Sequence, residues 1–341
     1  MYTLPFYLPF LLLFVAGAVY VERKIAAFIQ GRVGPRKVGP RGILQSVADL
    51  SKLLQKELIT PQNADQKLFR WAPAFTFIAL FSGFAMMPVH SQWGGAPTEA
   101  GMVYVLAALT MAWVGGVASG WFSGNQYAHM GAARLLTQCV ASEVPASLSV
   151  FCVAISSHTA NLQEISRQQG SNWHNCSAWS EGLLTWNVCA TPPLALAYIV
   201  FFVASMALCH RAPFDLPESE SELVGGYQTE YGGLRWGWLM LSEYGAMLLM
   251  ALLGVVLFLG GWHSPLPLFQ LHHVHRLKPF CEAGWLLFKA MCVIWVQMWI
   301  RWTFPRVRFD QLIKLCWGFL TPMALAACLW TVLWEWMRLC H

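Results

Sequence analysis

Long apolar stretches decide what this chain can become. Eight of them, roughly 2–21, 73–93, 102–122, 135–158, 192–209, 236–260, 283–303 and 316–337, approach the length of about 20 residues that a helix needs to cross a bilayer. Of the 341 residues, 57% are hydrophobic and 11% are charged. A soluble domain carries about 25% charge, so this chain has too little polar surface to cover a water-soluble globule. The expected fold is an all-α polytopic membrane protein: eight transmembrane helices, with an amphipathic surface helix after the first span. One membrane domain over 1–341 suffices. It divides into a first span (1–23), a basic loop with the amphipathic helix (24–71), spans two to five (72–209), an acidic loop (210–235) and spans six to eight (236–341). No basic region precedes the first apolar run and the first charge is Glu22, so that run reads as a span rather than a cleaved signal.

Lys and Arg set the expected orientation. The loop after the first span holds Arg23, Lys24, Arg32, Arg36, Lys37, Arg41, Lys52, Lys56, Lys67 and Arg70. An eight-span count adds Arg134, Arg211, Arg235, Arg301, Arg306, Arg308 and Lys314 to that side. The other side holds only Arg167, Arg276, Lys278 and Arg338, while Lys289 falls inside a span. This bias puts the basic and acidic loops on the cytoplasmic or matrix side, with both termini opposite.

The acidic loop, HRAPFDLPESESELVGGYQTEYGG over 210–233, places Asp215, Glu218, Glu220, Glu222 and Glu230 between apolar runs. Locally it predicts a short helix. Asp215 is the N-cap, Glu218 completes a D-x-x-E capping box, and Gly225 and Gly226 stop it. Glu218 and Glu222 would then share a face and repel, with pKa values raised by crowding and partial desolvation. The bland alternative is a solvated, well-capped surface helix. Acids beside membrane spans are costly, and that favours a functional reading.

The basic loop opens with Val33-Gly34-Pro35-Arg36, echoed by Val38-Gly39-Pro40-Arg41, and each Gly-Pro pair forces a turn. From Ile43 to Leu58 a helix is expected. Ile43, Val47, Leu50 and Leu54 line one side, and Gln45, Asp49, Lys52 and Lys56 the other. Such a helix suits the membrane surface or a soluble partner. The ten cysteines are scattered without a C-x-x-C pair and read as small buried apolar residues. His272, His273 and His275 sit close together, but a polar loop is the simpler reading than a metal site. Asn175-Cys176-Ser177 matches a glycosylation acceptor and carries little weight. The loop over 161–191, with Trp173, Trp179 and Trp186, shows no chemistry.

Two acids fall inside spans, Glu143 in the fourth and Glu243 in the sixth, beside Ser242 and Tyr244. Each should face protein or water rather than lipid, as a buried pair or helix–helix hydrogen bond or as a proton carrier. Lys289 either pairs with one of these acids or snorkels, and snorkelling is the simpler choice.

Several blocks together carry a resemblance over nearly the whole chain. They are ERKIAAFIQGRVGPRKVGPRGILQSVADLSKLLQKE from Glu22 to Glu57, SEVPASLS around Glu143, RAPFDLPESESELVGGYQTEY from Arg211 to Tyr231, SEY at Ser242–Tyr244, and RWTFPRVRFDQL from Arg301 to Leu312. The sequence resembles the chain 1 family of NADH–ubiquinone oxidoreductase, respiratory complex I, and its bacterial counterparts. The resemblance implies an eight-span subunit at the heel of the membrane arm, forming the membrane side of a quinone chamber. By motif, Glu22, Arg23, Arg32, Asp49, Arg211 and Phe214 would border that chamber or its junction with the peripheral arm. Asp215, Glu218, Glu220, Glu222, Glu230, Glu143 and Glu243 would form a proton relay. One position departs from the family pattern: an acid is usual where Leu208 stands.

The resemblance also implies ubiquinone as bound substrate, with no metal or nucleotide held by this chain and no catalysis by the chain in isolation. Implied partners are the peripheral-arm iron–sulfur and quinone-site subunits, the adjacent small and antiporter-like membrane-arm subunits and membrane lipids, without nucleic acid. The chain has no motif for hydride transfer or nucleotide binding, so electrons must come from partners. The expected compartment is the mitochondrial inner membrane, with a bacterial plasma membrane as the alternative. Rival readings are the homologous subunit of a membrane-bound hydrogenase, a self-contained cation transporter, and a structural docking subunit.

Overall fold

The computed structural model describes residues 4–91, 98–170, 185–265 and 278–339. The histidines at 272, 273 and 275, the acceptor pattern at 175–177, Trp173 and Trp179 lie outside the described residues. Among the described residues the chain is helical, and no strand occurs. The helices are α1 (Leu4–Ile29), α2 (Gln45–Gln55), α3 (Gln66–Gly83), α4 (Gly101–Trp121), α5 (Gln126–Ser157), α6 (Leu162–Gly170), α7 (Asn187–Ala190), α8 (Pro192–Leu208), α9 (Glu220–Leu223), α10 (Gly233–Phe258), α11 (Lys278–Thr303), α12 (Phe309–Lys314) and α13 (Thr321–Leu339). A π-type stretch, Leu315–Leu320, joins α12 to α13.

Helices occupy all eight apolar stretches picked out in the sequence. Six helical segments are long and apolar enough to cross a membrane: 66–86, 101–121, 126–157, 233–258, 278–303 and 309–338. A seventh, α8, is equally apolar but shorter, at 17 residues. The chain is therefore an all-α, multi-pass membrane protein.

The bundle is built around α10. Its apolar window is 94% buried, against 33% for α11 and for the last helical segment. A helix that is apolar all round needs protein on every side to be buried in this way. Here α1, α3, α8 and α11 supply it. The outer helices keep large apolar side chains exposed, among them Leu13, Ile78, Phe288, Phe319 and Leu329. Such a surface is stable in lipid and not in water.

The polar ends of several long helices meet. Asp65 N–H donates to Phe122 O at 3.3 Å, joining the start of α3 to the end of α4. Arg134 at the start of α5 meets Glu222, and Arg301 at the end of α11 meets Glu22 near the end of α1. Arg134, Arg211 and Arg301, three of the basic side chains assigned to one side by sequence, thus pair with acids of neighbouring elements.

The helix α2 forms close to its expected place. Ile43, Val47, Leu50 and Leu54 are all more than half exposed. The amphipathic helix therefore keeps an open apolar face.

Two local expectations fail. The helix predicted from Asp215 does not form; the chain turns instead, and only Glu220–Leu223 is helical. A proline in the first turn is compatible with such a helix; the segment is instead held by its neighbours, with Gln138 Nε2 donating to Phe214 O at 2.7 Å and Val307 N–H to Pro213 O at 3.0 Å. Glu218 and Glu222 consequently do not share a helix face. Lys289, expected to snorkel or to meet an acid, does neither. Its Nζ donates to Leu259 O at 2.8 Å and Gly261 O at 2.9 Å, and it lies 4.1 Å from the Trp186 ring centre. The carbonyls just past the end of α10 carry the negative end of the helix dipole, and they capture the amine.

Candidate functional site

The segment between α8 and α10 is drawn inward by the ends of its neighbours. Gln138 of α5 donates from Nε2 to Ala207 O (2.8 Å) and Phe214 O (2.7 Å), pinning both arms of the first turn. His210, at φ 50°, packs edge-on against Trp113 with ring centres 4.3 Å apart. Burial pushes its imidazole down to about 3, so it is neutral at physiological pH. Val307 N–H donates to Pro213 O at 3.0 Å, tying the segment before α12 to the same loop. Gly226 sits at φ 59°, where an added Cβ would fall 1.7 Å from Pro217 O. No other residue fits there. That turn buries Tyr227 and Tyr231; Tyr231 stacks on Phe69 with centroids 4.3 Å apart.

Pinned in this way, the loop delivers Arg211 to the interior. Arg211 is 4% exposed, Glu22 5% and Glu243 4%. Arg211 Nη1 lies 3.2 Å from Glu22 Oε2, and its Nε faces Glu243 Oε1 at 2.9 Å. The Tyr244 hydroxyl donates to Glu22 Oε2 at 2.7 Å, and the Arg211 guanidinium lies 4.0 Å from the Tyr244 ring centre. Arg301, reaching in from α11, donates to Glu22 Oε1. Three helices and one loop thus place two carboxylates and two guanidiniums in one buried cluster. Burial alone would disfavour the charge on Arg211, but Glu243 and Glu22 outweigh it and hold the guanidinium protonated. A buried cluster of this kind stabilises little by itself, because desolvation offsets the attraction.

Around the cluster the other acids differ in setting. Glu218 is partly buried, and its carboxyl accepts from Gln228 Nε2. Burial, and then the charges of Glu243 and Asp215, raise its pKa well above the ordinary carboxylate value. Asp215 lies 3.8 Å from Arg306. Glu222 is exposed and pairs with Arg134 at 2.5 Å, which lowers its pKa. Glu230 accepts from Asn125 Nδ2 at 2.6 Å. Glu143, inside α5, accepts from Thr110 of α4. The Glu220 side chain lies outside the described residues.

The residues proposed for the chamber are divided in the same way. Glu22 and Arg211 join the cluster. Arg23 instead pairs with Asp49 of α2 at 2.6 Å, and Arg32 donates to Gln30 at 2.6 Å, both on the outside. Phe214 is buried with Leu216, Leu312 and Cys316 in a small separate core. Leu208, where an acid is usual, is buried in the main apolar core. Sequence reasoning passed over Tyr244 and Arg301 as site residues. Both lay in quoted motifs, and the available signal was a polar group next to an intramembrane acid.

The family model described as NADH dehydrogenase matches residues 2–332. The chain belongs to this family. It is 42% identical to an NADH-quinone oxidoreductase subunit of Cytophaga hutchinsonii, over 99% of this chain and 100% of that protein. The corresponding protein of Chlorobium luteolum is 42% identical, over 93% of this chain and 83% of its own length. That of a Geobacillus species is 41% identical, over 92% and 87%. Family membership covers every element that builds the buried cluster, from Glu22 on α1 to Arg301 on α11.

Proposed function

We propose that this chain is the equivalent membrane subunit of a proton-translocating NADH–quinone oxidoreductase. In this reading it forms the membrane side of the quinone chamber and couples quinone reduction to proton movement. The observation that carries the proposal is the buried Glu22–Arg211–Glu243 cluster with Glu218 beside it. The names of the relatives favour quinone chemistry over the hydrogenase reading. Those relatives are bacterial, which favours a bacterial plasma membrane over the mitochondrial inner membrane first expected. Eight spans, with the basic end facing the cytoplasm and the peripheral-arm subunits docked there, complete the proposed topology.

The mechanism follows from charge. Quinone is the substrate, and reducing it takes up two electrons and two protons. Electrons come from partner iron–sulfur subunits. This chain's residues supply an apolar surface for the isoprenoid tail and cations near the mouth, Arg23 and Arg32, to orient the polar head. At an effective dielectric of about 20, two charges 4 Å apart interact by about 4 kcal/mol. One pKa unit corresponds to about 1.4 kcal/mol. A charge change near the loop therefore shifts a neighbouring carboxylate by a unit or more. Glu218, already inclined to hold a proton, takes or releases it first. Asp215 and Glu243 respond through their mutual repulsion, and Glu143 passes the change into the membrane arm. Leu208 breaks the usual series of acids, so water or neighbouring carboxylates bridge that gap.

The test replaces Glu218 or Glu243 with Gln in the assembled complex, reconstituted into vesicles. The expected result is normal assembly and continued quinone reduction, with fewer protons pumped per NADH. An unchanged ratio in both variants refutes the relay.

A further inference from the structure

The echoed Gly-Pro-Arg motif plays no part in the carboxylate path, yet the fold makes a single feature from its two copies. Tyr20, Lys24, Arg36 and Arg41 line an open cleft of about 590 Å³. That volume is within the range of about 300–1,000 Å³ usual for bound small molecules. The cleft is held by backbone ties. Lys24 Nζ donates to Pro35 O at 3.0 Å, and the Tyr20 hydroxyl donates to Arg41 O at 3.1 Å. The first tie anchors the first turn to α1, and the second anchors the second turn. The turns also pack on one another. Gly42 sits at φ 80°, with room for a Cβ closed by Pro35 O at 2.3 Å. Arg41 itself adopts φ 56°, which costs an arginine energy and persists only because the surroundings fix it.

Two arginines and a lysine thus converge on one cleft. Arg36 and Arg41 are exposed and make no ion pair among the described residues. Asp49, an acid on the neighbouring α2, is already held by Arg23 at 2.6 Å. Val33, Ile43, Leu44 and Val47, around the same loop, expose apolar side chains. Unneutralised cations beside an open apolar face match a ligand with an anionic head and a hydrocarbon tail.

We propose that this cleft binds the phosphate of an anionic phospholipid, with Arg36 and Arg41 as its main contacts and Lys24 and Tyr20 at its edge. The acyl chains lie along the exposed apolar face of the loop and α2. The inference is independent of the proton path, and its failure would leave that reading untouched.

The test uses the intact complex, delipidated in detergent and then offered phosphatidylglycerol or phosphatidylcholine. Bound lipid is counted by native mass spectrometry. The expected result is that the unaltered complex retains phosphatidylglycerol at the site and Arg36→Gln/Arg41→Gln does not, with an affinity loss of roughly fivefold per arginine. Arg36→Lys/Arg41→Lys should keep most of the binding, and phosphatidylcholine should bind all forms equally weakly. Should the double Gln variant not assemble, Arg36→Gln alone should show the fivefold loss. Equal phosphatidylglycerol retention in the unaltered and Gln forms overturns the proposal. So does displacement of the lipid by millimolar inorganic phosphate, which would mark a site for the free anion. Release of peripheral subunits from the Gln variant, with lipid retention unchanged, would assign the cleft to an acidic protein partner and also overturn it.

Discussion

Replacing Arg211 tests most sharply whether the buried cluster is one electrostatic unit. Arg211→Met keeps an unbranched side chain in the space above the Tyr244 ring but removes the charge. Glu22 and Glu243, 5% and 4% exposed, would then share only Arg301, whose side chain is 27% exposed. Removing one partner of a buried ion pair costs about 3–5 kcal/mol, chiefly through the charge left unpaired. We expect Arg211→Met to lower the thermal unfolding temperature of the detergent-solubilised complex sharply. Glu243→Gln in the same background should restore part of it, because it removes the carboxylate that lost its partner. The three variants form a cycle, and contacting residues couple by about 0.5–3 kcal/mol. Additive effects, within about 0.5 kcal/mol, would refute the claim that these side chains act together.

Further outcomes follow from the same geometry. Tyr244→Phe removes the hydroxyl bonded to Glu22 and should destabilise the complex by about 1.5–3 kcal/mol in the same unfolding assay, as expected for a hydrogen bond to a charged group. Gly226→Ala should abolish assembly, measured as complex abundance in membranes, since its Cβ would overlap Pro217 O. Arg134→Ala breaks only an exposed pair with Glu222 and should leave the unfolding temperature unchanged at physiological salt. Glu218 has a raised pKa when folded, so ionisation destabilises the native state. Below the unfolded carboxylate pKa, about 4.3, Glu218→Gln should match the parent; as pH rises above it, the variant should become progressively the more stable form, with the difference levelling off above the folded pKa. A constant difference across that range would contradict the assigned burial.

Fold class was legible because hydrocarbon imposes a simple rule: a span must be long, apolar and helical. That rule located the six segments long and apolar enough to cross a membrane and the shorter α8. The amphipathic α2 was legible for a similar reason, since its period of apolar side chains shows on the surface. The acidic loop was misread. Capping rules describe an isolated helix end, whereas bonds from Gln138 and Val307 on neighbouring elements set this segment. Lys289 was misread because its partners are backbone carbonyls, which leave no mark in a side-chain pattern. The site was legible as a set of acids but not as a cluster. Glu22 and Glu243 are far apart in sequence, and only the crossing of α1 and α10 makes them neighbours of one arginine.

The central claim is that buried acids at the polar end of the bundle change protonation when quinone is reduced. Infrared difference spectra of the complex, quinone-reduced minus oxidised, read this directly through the carbonyl stretch of protonated carboxyl groups. The account predicts a carboxyl signal in the parent that Glu218→Gln or Glu243→Gln removes or shifts. A spectrum without any carboxyl change, or one identical in the parent and both variants, would contradict it.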